Sequence, residues 1–180
     1  MKRNIVILVL GSCCLFNSCY ELDLNPLSQG SSENWYSSET EIEMALKDGY
    51  RQDFWPKDKE EWTDDYVYRE TNSAIVNGTL NGQTDEVTKM WSNQYKAIAR
   101  ANTVLANMEK AQSLGISQSK IDQYTAEAYF LRASMYSTLI SHFGDVVYVT
   151  EVMDVDQAFE VGRTAKAEII PKVYEDFDKA

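Results

Sequence analysis

The sequence predicts a mainly α protein, built from helical hairpins that carry one long, irregular, aromatic-rich loop. Three observations predict it. Apolar residues recur at steps of three or four from Val87 to Met108, and again from Ile121 to Leu139. A short linker around Leu114-Gly115 joins these two runs, which makes them an antiparallel pair. Residues 55–84 have no helical period but hold Trp55, Trp62, Tyr66 and Tyr68 among charged residues.

The chain starts with Met1-Lys2-Arg3-Asn4 and an apolar run from Ile5 to Phe16. Two cations before about a dozen apolar residues read as a secretory leader. The run is too short to cross a bilayer, which takes roughly 20 residues. Leu15-Phe16-Asn17-Ser18-Cys19 closes it with a small residue directly before a cysteine. Cys13 and Cys14 leave with the leader, and Cys19 is then the one thiol left. An odd cysteine in a secreted chain needs a reason, and acylation supplies one. Each buried CH₂ of an acyl chain contributes about 0.8 kcal/mol, so a multiply acylated cysteine is a stable anchor. Residues 1–18 are therefore expected to be a signal peptide and 19–37 a tether and lead-in segment. No disulfide can then form within the mature chain, and stability must come from packing.

Ser38-Glu39-Thr40-Glu41 has the spacing of a capping box, and Ile42, Ala45, Leu46, Gly49, Tyr50 and Phe54 follow at helical intervals. A helix is expected near 39–54, stopping before Pro56. Asn77-Gly78 and Asn81-Gly82 mark tight turns and a short hairpin in the loop that follows. One long helix is expected from Thr84 to Lys110, with Trp91 and Tyr95 in the core, and a second from Ser119 to His142. Small residues (Ala97, Ala101, Ala126, Ala133, Ser134) allow their axes to approach closely. Glu127 and Arg132 are candidates for a buried or inter-helix polar link, and His142 suits a helix C-terminus. Phe143-Gly144-Asp145 breaks the helix, Val146–Thr150 reads as extended, and 151–163 reads as irregular. A last helix is expected from Thr164 to Ala180, with Pro171 kinking it or delaying its start.

With 17 basic and 28 acidic residues in 180, the formal charge is −11. Removing a leader that carries Lys2 and Arg3 takes it to −13. A chain so acidic is unsuited to nucleic acid, whose binders neutralise phosphates with Lys and Arg. The single histidine argues against His-based metal sites and most triads. No G-x-S-x-G, H-E-x-x-H, Walker loop or mature C-x-x-C pair occurs, and Asp53, Asp58, Asp64 and Asp65 lack EF-hand spacing. Neither an enzyme nor a cofactor or metal is expected.

Trp91-x-x-x-Tyr95-x-x-Ile98-x-x-Ala101-Asn102-x-x-Leu105 is followed by Ala126-Glu127-Ala128-Tyr129-Phe130-Leu131-Arg132-Ala133-x-x-Tyr136-x-x-Leu139, then by Phe143-Gly144-Asp145-Val146. With Leu22-Asp23-Leu24-Asn25-Pro26, Arg163 and the closing Val173-x-x-Asp176-Phe177-x-x-Ala180, the chain resembles the N-terminal part of a SusD/RagB-family nutrient-uptake lipoprotein. It departs at Val147, where the family often has proline. The resemblance implies tetratricopeptide-like hairpins, with 38–180 an incomplete SusD-like N-terminal domain. It implies an extracellular-facing, lipid-anchored, non-catalytic protein of the outer membrane. Such a protein binds glycan and delivers it to a TonB-dependent, SusC-like transporter.

Sugars present flat C–H faces and many hydroxyls, so binding them takes aromatic planes and polar side chains. The loop offers Trp62, Tyr66, Tyr68, Arg69 and Asn72, which become the candidate ligand residues, beside Cys19 for palmitate-type acylation. The plainer alternative is that these aromatics fill the space between loop and helices. On the level of the whole protein, the alternative is a lipid-anchored adaptor that assembles envelope complexes without binding sugar.

Overall fold

The structure is a computed structural model that describes residues 35–55, 62–63, 65, 69 and 74–180. The chain divides into two units, Met1–Trp35 and Tyr36–Ala180. All the described helices belong to the second. The leader, Cys19 and the tether up to residue 34 lie outside the described residues.

Helix α1 spans Glu39–Asp48, shorter than the periodicity suggests. Ser38 Oγ accepts from the Glu41 N–H at 3.4 Å, but the Glu41 carboxylate returns to Ser37, not Ser38, accepting from its N–H at 2.7 Å and its hydroxyl at 2.9 Å. The helix is capped by Gly49, where the chain passes tightly over Leu131 of the next layer. A Cβ there would lie 2.6 Å from Leu131 Cδ1 and 3.0 Å from the Leu46 carbonyl. The turn that follows, completed by a 3₁₀ segment at Gln52–Phe54, swings Phe54 into the core, where only 3% of it stays exposed.

The expected hairpin at 77–82 is not formed. Gly78 takes φ +65° within a turn closed by Thr79 N–H to the Ala74 carbonyl, and Asn81 Oδ1 accepts from Gln83 N–H just ahead of the next helix. Local side-chain bonding wins over strand pairing here. Helix α2 runs Asp85–Ala106 and α3 Met108–Ser113. The single helix expected over 84–110 thus breaks at Asn107. Asn107 Nδ2 donates to the Thr103 carbonyl at 2.7 Å, competing with the backbone for that acceptor. Gly115, at φ +78°, reverses the chain into α4, Gln118–Phe143.

Helices α2 and α4 form the expected antiparallel hairpin. Ala97, Ala101 and Ala133 are at most 2% exposed, and Ile121, Tyr124, Ala128, Leu131, Met135 and Leu139 are buried as their spacing requires. On α2 the buried line falls on Gln94, Ala97, Ile98, Ala101, Asn102 and Val104, while Trp91 and Tyr95 pack against the core from a half-buried position.

Gly144 ends α4 at φ +71°, ψ −115°, a conformation that only glycine adopts freely. Nothing lies within 4 Å of where its Cβ would sit. Gly144→Ala therefore tests backbone strain alone, and is expected to cost about 1–3 kcal/mol in urea unfolding. Residues 151–163, read from sequence as irregular, contain helix α5, Val155–Glu160. Its capping box uses Asp154 and Gln157: Gln157 N–H donates to Asp154 Oδ1 at 2.8 Å, and Asp154 N–H to Gln157 Oε1 at 3.1 Å. Val146 and Thr164 pair as an isolated antiparallel bridge, so the extended segment gains no ladder among the described residues.

Helix α6 spans Lys166–Asp178 and runs through Pro171 without a delayed start. Asp145 Oδ1 accepts from the Lys166 N–H at 2.9 Å, so the Gly-Asp turn caps the last helix. Pro171 and Ala167 are exposed, which lets water bond the carbonyl that the proline leaves free. Ile169, Val173 and Asp176 of α6 pack on α4, while Ile170, Tyr174 and Phe177 form a second face that is 37%, 66% and 37% exposed.

Candidate ligand-binding surface

The polar residues of the signature helices converge on the backbone of residues 147–151. Tyr95 Oη donates to the Val147 carbonyl at 2.8 Å. Tyr136 Oη accepts from the Val149 N–H at 2.7 Å and donates to the Val149 carbonyl at 2.8 Å. Asn102 Nδ2 reaches the carbonyls of Val149 (3.1 Å) and Glu151 (3.3 Å). Arg132 Nη1 reaches the Thr150 carbonyl (3.3 Å) and Asn102 Oδ1 (3.0 Å). Its Nε and Nη2 form a fork with Asp176 of α6 at 2.7 and 2.8 Å. A segment without strand neighbours must satisfy its N–H and C=O groups somehow, and here side chains from α2 and α4 do it, with Asp176 of α6 holding Arg132 in place.

This clamp explains residues that sequence reasoning placed without a partner. Asn102 and Asp176 sit on apolar faces and are each 3% exposed. A polar residue at a core position of an amphipathic helix was the signal that could have found them. Arg132 pairs with Asp176, while Glu127 serves the Tyr50 hydroxyl, which is pushed up to about 12 by burial first and by Glu127 next. The two thus form separate links. His142 Nδ1 stands 2.9 Å from the Thr138 carbonyl in the last turn of α4, the C-terminal position expected of it. Trp91 stacks obliquely on Tyr95 at 5.0 Å and takes the edge of Phe143 at 5.1 Å, with the Arg163 guanidinium 5.4 Å from its ring centroid.

Of the candidate ligand residues, Trp62 and Arg69 are described, while Tyr66, Tyr68 and Asn72 lie outside the described residues, as does Cys19. Trp62 is half-buried. It lines a hollow of about 150 Å³ with Ile75 and Leu80 of the loop, Val87 and Met90 at the start of α2, and Phe143 at the end of α4. Glu86 and His142 also border it. The walls are largely apolar, with one carboxylate and one imidazole placed to accept or donate at the edge. Arg69 is exposed and does not line this hollow. Among the described residues, no group of three His, Cys, Asp or Glu side chains is placed to hold a metal ion.

The described residues thus form a helical-hairpin scaffold whose motif side chains fasten its own backbone and which presents an aromatic hollow at Trp62. Residues 22–180 match the SusD-like family described as "Starch-binding associating with outer membrane". The chain belongs to that family. SusD-like protein P2 of Formosa agariphila is 23% identical over 176 residues, covering 90% of this chain and 34% of its own length. SusD-like protein P25 of the same organism is 28% identical over 109 residues, covering 61% of this chain and 20% of its own. This chain therefore spans about a third or less of the length of these curated relatives. Among solved structures, a SusD superfamily protein from Parabacteroides distasonis superposes with a TM-score of 0.67 at 18% identity, over 84% of this chain and 34% of that one. A SusD-like carbohydrate-binding protein from Bacteroides fragilis gives 0.61 at 24% identity, over 79% and 31%. These likenesses establish the shared fold.

Proposed function

We propose that this chain captures glycan at the cell exterior and passes it to a TonB-dependent, SusC-like transporter of the outer membrane, without breaking a bond. In this reading residues 1–18 are a signal peptide, 19–37 a tether anchored by acylated Cys19, and 38–180 the N-terminal helical domain. Trp62, Tyr66, Tyr68, Arg69 and Asn72 contact the ligand. The observation that carries the reading is the position of Trp62. The loop indole lines an open hollow instead of vanishing into the hydrophobic core. Family membership supports carbohydrate as the ligand class and the outer membrane as the location.

The test is calorimetry of the full chain against a polysaccharide panel, beside Trp62→Ala. At least one glycan should bind, with the variant weakened tenfold or more, about 1.4 kcal/mol. In cells, labelled palmitate should enter the wild type and not Cys19→Ser. The exposed Ile170–Tyr174–Phe177 face of α6 favours a second reading, an envelope adaptor that docks proteins. A protein that binds no glycan but still co-purifies with envelope partners would replace the first reading with this one.

A further inference from the structure

Residues 146–164 form a hoop. Its feet are closed by the two bonds between Val146 and Thr164, at 3.2 and 2.8 Å. Its legs are held unequally. The first, 147–151, is clamped by Tyr95, Asn102, Arg132 and Tyr136. The second, 152–162, makes no hydrogen bond to the helices among the described residues, and its α5 turn is capped internally. A hollow of about 480 Å³ opens between the legs, within the roughly 300–1,000 Å³ usual for ligand pockets. A second hollow, of about 220 Å³, lies against Trp91 and Tyr95 and shares Val149, Met153 and Val161 with the first.

The lining is amphipathic. Val149, Met153 and Val161 are apolar, while Thr150, Glu151, Gln157 and Glu160 bring a hydroxyl, an amide and two carboxylates to the same opening. Both carboxylates are exposed, and neither is paired among the described residues. No Lys, Arg or His lines either hollow. Residues 151–162 contain Glu151, Asp154, Asp156 and Glu160 and no basic residue. Two cations stand against rings that border the hollows, each engaged by the ring it faces: Arg163 on Trp91, donating also to the Asp145 carbonyl, and Lys172 on the Tyr148 ring at 4.8 Å.

The geometry points to the hoop as a second sugar subsite, separate from the Trp62 hollow and selective for neutral over acidic glycans. The inference rests on the glycan reading above. Carboxylates accept strongly from sugar hydroxyls. The same carboxylates, with no cation in the lining, repel a uronate or a sulfate. Apolar walls on one side suit the C–H face of the ring.

The test titrates the full chain with maltohexaose, cellohexaose and mannohexaose, and with hexagalacturonate as the acidic probe. A neutral hexasaccharide should bind and the uronate should not. Val161→Trp fills both hollows and should weaken the neutral ligand at least tenfold, with circular dichroism unchanged. Glu151→Ala/Glu160→Ala alters surface groups alone and should weaken it about three- to tenfold. If both hoop variants bind within twofold of wild type while Trp62→Ala loses binding, the subsite is refuted and the loop reading stands. If no neutral hexasaccharide binds, the subsite is refuted, and if hexagalacturonate and the polysaccharide panel also fail to bind, the glycan reading falls with it. Tighter binding of the uronate than of the neutral probes refutes the selectivity.

Discussion

Arg132→Met should destabilise the protein by about 3–5 kcal/mol, read as a shift of the urea midpoint at constant slope. Arg132 is 6% exposed and Asp176 3%. Removing the cation leaves that carboxylate buried without its charge partner, and leaves the Thr150 carbonyl and Asn102 Oδ1 each short of a donor. The large cost is the orphaned charge more than the lost attraction. Adding Asp176→Leu should therefore recover most of the loss, because a buried ion pair replaced by apolar groups of similar size is often close to neutral. A single substitution costing under 1 kcal/mol would show that the pair does not hold α6 to α4.

Tyr136→Ala should cost about 3–5 kcal/mol, the range for emptying a large buried side chain. Tyr136→Phe separates ring from hydroxyl. The ring is fully buried and packs at 4.7 Å against Tyr148. Phenylalanine keeps that packing but leaves the Val149 N–H without an acceptor, while Asn102 still serves the Val149 carbonyl. One unsatisfied donor costs about 1–3 kcal/mol. Hydrogen exchange should locate the loss, with the Val149 amide deprotected in the phenylalanine variant and the amides of α2 unchanged. Equal costs for the two substitutions would mean that the hydroxyl, and not the ring, supplies nearly all of the stability.

Signals that act within one or two turns were legible before any coordinates. The steps of three and four placed α2 and α4, the Ser38 cap placed the start of α1, and Gly115 and Gly144 stopped their helices. The same kind of signal was present and missed at Asp154-x-x-Gln157, whose capping box starts α5. The extent of helix 84–110 was misjudged because periodicity continues across Asn107, while one side-chain bond to the Thr103 carbonyl breaks the backbone there. The Trp62 hollow was half legible. Composition singled out the indole, but the loop, α2 and α4 had to meet before it had walls.

By itself, then, the sequence determined α1, α2, α4 and α6, the turns at Gly115 and Gly144 and the family, since each depends on residues close together along the chain or on a motif read in order. Only the tertiary structure decided which polar groups meet. Arg132 finds Asp176 across 44 positions, Tyr95 finds Val147 across 52, and the hoop takes its shape from bonds that no local pattern encodes. The physical reason is the cost of burying an unpaired charge or amide. That cost forces partners together in the folded core, yet it leaves no periodic trace in the chain.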